Sequence, residues 1–340
     1  MTPEPDPAVV APSRAVTSAG SHPAEVTAQR GLAAQGELTA QRGLAAQGER
    51  TTTAARLTGE LRLRIARRGS RSAAVGQFTA GSLRVLRAHY PDASGQPSFT
   101  LVNPGGGYLG GDTYATRIEV AEGASVLLTT QSATKVYRTP QGPVRAVQHL
   151  HLGPGARLES VPDALIAYRE ARYHQDTQVE MAADASLALA EIVTQGWSPQ
   201  GEPFRFEEVS LVTRVRLAGR LAVADNLLIR PDDGGTGPLM LDGRSHIASL
   251  LVVDPTADDG AVAALRALLA ERFGSPSQAA PSSRSSSRSP LIGVTRLEVP
   301  GFALRALADS TQSAEAVVHA VLNWMRANWH GQAPLNLRKL

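Results

Sequence analysis

Between Gln131 and Arg138 the chain sets Ser132, Thr134, Lys135 and Tyr137 with little apolar material to cover them. This block follows a glycine-saturated turn, NPGGGYLGGD (103–112), that ends in Asp112. Such a set is equipped for proton transfer, with Lys135 or Tyr137 as acid or base if its surroundings tune the pKa. Of 34 basic residues only Lys135 and Lys339 are lysines, so Lys135 is either held for its compact, three-donor ammonium or a chance survivor. A second kind of chemistry is metal handling by carboxylates: Asp112, Glu159, Glu191 and Glu202 all fall in strand-rich context. Glu191 lies between Ala190 and Ile192 in LALAEIVTQGW, where a carboxylate is costly unless paired, hydrogen-bonded or wet. Singly, each reads as a paired or edge carboxylate. Together, hard oxygen donors along an interior path suit a transition cation that is carried loosely and exchanged.

Other motifs are excluded by their context. Gly105, Gly107 and Gly110 satisfy G-x-G-x-x-G, but a dinucleotide turn opens a helix, and the residues that follow, TYATRIEVA, are β-branched and alternating. These glycines join strand to strand and permit close backbone approach. No P-loop, H-E-x-x-H or G-x-S-x-G occurs. His149 and His151 share one face of a strand, a ligand-like spacing that exposed polar alternation explains equally well.

The elements that must position these groups repeat with period two. Leu61, Leu63 and Ile65 alternate with Arg62, Arg64 and Ala66, and 211–217 runs through an Ala-Gly-Arg turn into LAVAD as a hairpin. Comparable segments fall near 83–88, 98–102, 116–120, 125–130, 144–151, 156–161, 178–181 and 186–193. This spacing predicts an all-β stack, sandwich or barrel. Helical period returns late. Asp258 and Asp259 open a helix with Val262, Leu265, Leu268 and Leu269 on one face and Gly274 as its stop. A second covers about 312–329, with Val318, Val321, Leu322, Met325 and Trp329 as its apolar stripe.

The 340 residues, 42% of them hydrophobic, allow a sizeable core, and 31 glycines with 22 prolines suit short strands joined by turns. The absence of cysteine excludes disulfides, thiolate metal sites and thiol nucleophiles and fits a reducing compartment. A net charge of +3 with scattered arginines gives no nucleic-acid stripe. No signal-like or membrane-spanning segment is expected, since the apolar runs fall well short of roughly 20 residues, and the protein is placed in the cytoplasm. TAQRGLAAQGE occurs at 27–37 and again at 39–49, and residues 1–55 are expected to be a disordered tail. SPSQAAPSSRSSSRSP at 275–290 reads as a flexible insertion in a single domain over 56–340.

Four ordered blocks, NPGGGYLGGD, LLTTQSATKVYRT, LESVPDALIAYR and GWSPQGEPF, resemble the urease accessory protein UreD (UreH) family across about residues 60–340. The resemblance implies a mostly β fold of stacked sheets in a β-helix-like arrangement with two α-helices towards the C-terminus, and no enzyme activity. It implies action with UreF, the GTPase UreG and the urease apoprotein to assemble a dinuclear nickel centre. No tightly bound cofactor is implied, only transient nickel in a water-filled passage lined by Asp112, Glu191 and Glu202. Gln131, Lys135, Tyr137 and Arg138 match the family's polar block, as passage wall or subunit contact. Trp197, where many relatives carry arginine, and the ending APLNLRKL depart from the family pattern. The alternatives are a β-rich interaction module without metal transit and an enzyme using the 103–138 cluster.

Overall fold

A computed structural model describes residues 57–237, 240–274 and 288–337. The duplicated block, the remainder of the 1–55 tail and residues 275–287 of the serine-rich segment lie outside them. The alternating segments become strands: β1 (Gly59–Arg68), β2 (Arg71–Gly81), β3 (Arg84–Val85), β4 (Ser98–Val102), β5 (Thr113–Val120), β6 (Ser125–Thr130), β7 (Thr134–Val136), β8 (Val144–Leu152), β9 (Arg157–Val161), β10 (Leu165–Ala167), β11 (Arg172–Met181), β12 (Ser186–Thr194), β13 (Glu208–Leu217), β14 (Arg220–Ile229) and β15 (His246–Val253). Helix α1 (Asp259–Phe273), strands β16 (Leu291–Arg296) and β17 (Gly301–Ala308) and helix α2 (Thr311–His330) complete the order.

The strands coil. Each of the segments β5–β6–β7 and β8–β9–β10 makes one three-sided turn, β11–β12 begins the next, and equivalent strands stack in parallel register. The result is a β-solenoid-like stack. One wall is a seven-stranded sheet ordered β14-β13-β11-β8-β5-β1-β2, parallel from β13 to β1 and closed at both edges by antiparallel hairpins. The other wall follows β16-β17-β15-β12-β9-β6-β4-β3. The narrow third side consists of β7 and β10, extended by bridges from Tyr108 to Val136 and from Tyr168 to Trp197.

Period two decides which side chains meet between the walls. Leu61, Leu63, Ile65, Ile118, Leu150, Leu152, Val179 and Val215 face Val126, Leu158, Leu187 and Val253 in one apolar core. The helices cover only the second wall, whose outer face (Leu127, Ala188, Ile192, Leu250, Phe302, Leu304) packs on Leu265 and Leu269 of α1 and on Val318, Val321, Leu322 and Met325 of α2. Asp258 caps α1 by accepting from the Ala261 amide at 2.7 Å, and Gly274 ends it. Among the described residues the outer face of the first wall is polar and uncovered; His149 and His151 lie exposed on it. No helix among the described residues is long and apolar enough to cross a membrane.

A buried charge network pins α2. Arg326, 1% exposed, donates to Glu159 at 2.8 Å, Gln96 at 3.0 Å, Asp92 at 3.2 Å and the Ala333 carbonyl at 2.9 Å. Arg157 reaches the same Glu159 at 2.5 Å. Burial pushes the Glu159 carboxyl up, but the two guanidiniums, aided by hydrogen bonds from Arg326 and Gln96, outweigh it and hold the carboxyl below its ordinary value. Glu159 therefore belongs to this clamp.

Candidate functional site: a polar chamber between the walls

The interior is not apolar throughout. In the first wall one inward-facing row reads Thr116, Gln148, Thr177, residue beside residue across β5, β8 and β11. Each takes a place where alternation would call for a Val or Leu. Opposite them Glu191 projects inward from β12, between Leu189 and Val193, which occupy the same face. Together with Tyr108, Tyr114, Tyr173, Gln175 and Asp163 these side chains line a cavity of about 150 Å³. A second cavity of about 80 Å³ shares the wall residues Leu83, Leu101, Tyr108, Thr130 and Thr134 with the first and is bounded by Asn103, Gly106, Gln131 and Lys135. This outer chamber lies at the glycine-rich turn.

Glu191 is half-buried and lines the cavity. A hydrogen-bonded relay holds it: the Tyr173 hydroxyl donates to Gln175 Oε1 at 2.9 Å, and Gln175 Nε2 donates to Glu191 Oε1 at 2.6 Å. Burial pushes the Glu191 carboxyl up to about 7; Arg305 and the Gln175 hydrogen bond pull it back, and Asp225 adds to the rise. Asp163, the chamber's other carboxylate, accepts from the Thr130 hydroxyl at 3.0 Å. The tyrosines form a stack, with the Tyr108 and Tyr114 rings 3.9 Å apart and Tyr173 6.3 Å from Tyr108. Burial, reinforced by the Asp112 carboxylate, raises the Tyr108 phenol to about 12, and burial raises Tyr173 further. Both phenols remain protonated donors at neutral pH.

The three expected passage carboxylates are not brought together. Only Glu191 lines the chamber. Asp112 stands behind its wall as a structural acceptor, taking hydrogen bonds from the Thr58 hydroxyl at 3.0 Å, the Leu109 amide at 2.7 Å and the Tyr114 hydroxyl at 2.9 Å. It thereby fixes the tyrosine stack. Glu202 is exposed and pairs with Arg205 at 3.2 Å, in the stretch between the Trp197 bridge and β13. Among the described residues no group of three or more His, Asp or Glu side chains is placed to hold a metal ion. This includes the exposed His149 and His151.

The polar block divides in the same way. Gln131 and Lys135 edge the outer chamber. Tyr137 packs on Tyr168, ring centroids 4.8 Å apart, and Tyr168 packs on the half-exposed Trp197 at 4.9 Å. Arg138 makes an exposed ion pair with Glu170 at 3.6 Å, a contact of little energetic weight. The side chains of Lys135 and Tyr137 make no hydrogen bond or ion pair among the described residues, so nothing positions either for proton transfer. The glycines are spaced by contact: a Cβ on Gly107 would stand 2.5 Å from the Tyr137 ring, and one on Gly110 2.9 Å from the Thr139 Cα.

Sequence reasoning missed Gln148, Gln175, Asp163 and the tyrosine stack. The available signal was a polar residue at an inward position of an alternating strand, as in Thr116 between Tyr114 and Ile118.

Fold and site define a coiled β protein that carries a polar chamber and no assembled catalytic constellation among its described residues. The family model described as UreD urease accessory protein matches residues 57–339. The chain is 45% identical over 287 residues to the urease accessory protein UreD of Arthrobacter sp. (strain FB24), covering 83% of this chain and 94% of that protein. It is 44% identical over 283 residues to that of Actinomyces naeslundii, covering 83% and 98%. With that of Corynebacterium glutamicum (strain R) it shares 39% over 296 residues, covering 84% and 99%. The chain belongs to the UreD urease accessory protein family, and these relatives are named as accessory proteins, not enzymes.

Proposed function

We propose that this protein is a non-enzymatic maturation scaffold and nickel conduit, acting in the cytoplasm with UreF and UreG on urease apoprotein to assemble the dinuclear nickel centre. The observation that carries the reading is the half-buried Glu191 carboxylate in a polar chamber that shares wall residues with a second cavity edged by Gln131 and Lys135. Carboxylate, hydroxyl and amide oxygens are hard donors that bind a divalent first-row ion without the hold of imidazole or thiolate. A transient passenger requires that weakness. Nickel here is cargo, and GTP hydrolysis belongs to UreG.

The test is the nickel content and activity of urease purified after co-expression with UreF, UreG and either this chain or its Glu191→Gln variant. Loss of nickel with the variant, while pull-down of the partners is retained, is the expected result. Full loading with E191Q, or with the chain deleted, overturns the reading. A second reading, an interaction module without metal transit, draws on the surface positions of Glu202 and Trp197. It predicts that Trp197→Ala weakens partner capture while E191Q leaves nickel loading unchanged.

A further inference from the structure

The polar rows of the two walls continue past the chamber. On the first wall the row Thr116, Gln148, Thr177 runs on through Thr213 of β13 to Asp225 of β14. On the second wall Glu191 stands in register with Ser249 of β15, and Ser249 with Arg305 of β17. The two rows meet where Arg305 donates through one guanidinium nitrogen to both Asp225 oxygens, each at 2.6 Å. Asp225, Ser249 and Arg305 lie outside the cavity's lining, and their ion pair ties the two walls together beyond Glu191. Ser249 lies in register between Glu191 and Arg305, 5% exposed, and its hydroxyl has no hydrogen-bond partner among the described residues. A buried hydroxyl left unpaired is costly, and one set between the Glu191 carboxylate and an arginine that itself holds Asp225 points to an occupant.

We propose that Glu191, Ser249 and Asp225 form a divalent-cation site at the inner end of the chamber, with the Arg305 guanidinium as its resident cation. Swinging Arg305 away from Asp225 exchanges that cation for the metal and opens the far end. The inference rests on the conduit reading and adds to it a latch. Arg305 and Asp225 are about one-third exposed, at 36% and 33%, so the pair borders solvent and the arginine has water to move into. Such a pair costs little to break compared with a fully buried one. Two carboxylates and a hydroxyl, completed by water, hold a divalent first-row ion loosely.

Equilibrium dialysis of the purified full chain against Ni²⁺ tests the latch without urease. Arg305→Met, which keeps bulk and removes the charge, is expected to bind Ni²⁺ at least about tenfold more tightly than the unaltered chain. Arg305→Lys retains a cation and is expected to bind as the unaltered chain does. Adding Asp225→Asn to R305M is expected to abolish the gain. Arg305→Gln serves as a second neutral variant should R305M fail to fold by circular dichroism. Neutral variants that bind no more tightly than the parent, or a gain that survives D225N, overturn the proposal. That failure is separate from failure of the conduit, which is read from urease nickel in the E191Q co-expression.

Discussion

Glu191→Gln should change the pH dependence of stability in a way that isolates the chamber's electrostatics. The native carboxyl, raised to about 7 from its ordinary 4.5, keeps a proton that the unfolded chain releases as pH climbs between those values. Folding therefore loses stability across that window and bears the whole penalty above it. At 1.36 kcal/mol for each pH unit separating the two values, the penalty reaches up to about 3 kcal/mol. Between about pH 5 and about pH 8 it changes by roughly 2–3 kcal/mol. Glutamine cannot ionise, yet its amide oxygen can still accept from Gln175. Costs that do not depend on pH, such as a changed hydrogen bond, cancel when each variant is compared with itself. Urea unfolding of both proteins at the two pH values is the assay. E191Q should gain roughly 2–3 kcal/mol on the wild type in going from acid to base. Parallel profiles would refute the reasoning, because they would mean that Glu191 is already ionised and solvated at acid pH.

Arg326→Met leaves Glu159 buried with Arg157 as its remaining cation and should cost about 3–5 kcal/mol, seen as a lower urea midpoint. Gly107→Ala drives a methyl into the Tyr137 ring and should cost about 1–3 kcal/mol; a double-mutant cycle with Tyr137→Ala should show that most of this cost depends on the ring. Asp258→Ala removes the α1 cap and should cost about 1 kcal/mol, with the melting curve otherwise two-state.

Much of the coil was legible because inward and outward residues alternate so regularly in β1, β5, β8 and β13. The strands that sequence reading shortened or passed over explain its limits. The polar opening of β11, RYHQDTQ, hides its first half, and β2 is an edge strand with a largely exposed pattern. β7 and β10 are three residues each, too short to show a period. The expected run at 83–88 contracts to Arg84–Val85. Both helices lie where their caps and stripes place them, and Trp324 and Trp329 pack against the helix-covered core. Arg326 escaped notice although it follows Leu322 by four residues and so shares the buried face. Glu191 was visible as a lone carboxylate in an apolar strand. Asp112 and Glu202 were less tractable: one carboxylate's destination depends on a hydroxyl 54 residues earlier in sequence, the other's on how the connection between the Trp197 bridge and β13 is laid. The meeting of Asp225 with Arg305, 80 residues apart, is set by strand register that no local pattern records.

The stacking of equivalent strands makes the chamber a property of turn length. Thr116, Gln148 and Thr177 fall side by side only because each circuit returns its strand to the same phase as the one before. A single residue added within β8 would flip the rest of that strand, moving Gln148 or Leu150 to the surface and bringing His149 inward. Insertions at the corners, where Gly123 and Gly155 turn the chain, would leave every phase intact. Length variation in this family should therefore collect at corners, and a deletion inside a strand should erase the hydrophilic lane while every residue that composes it is still present.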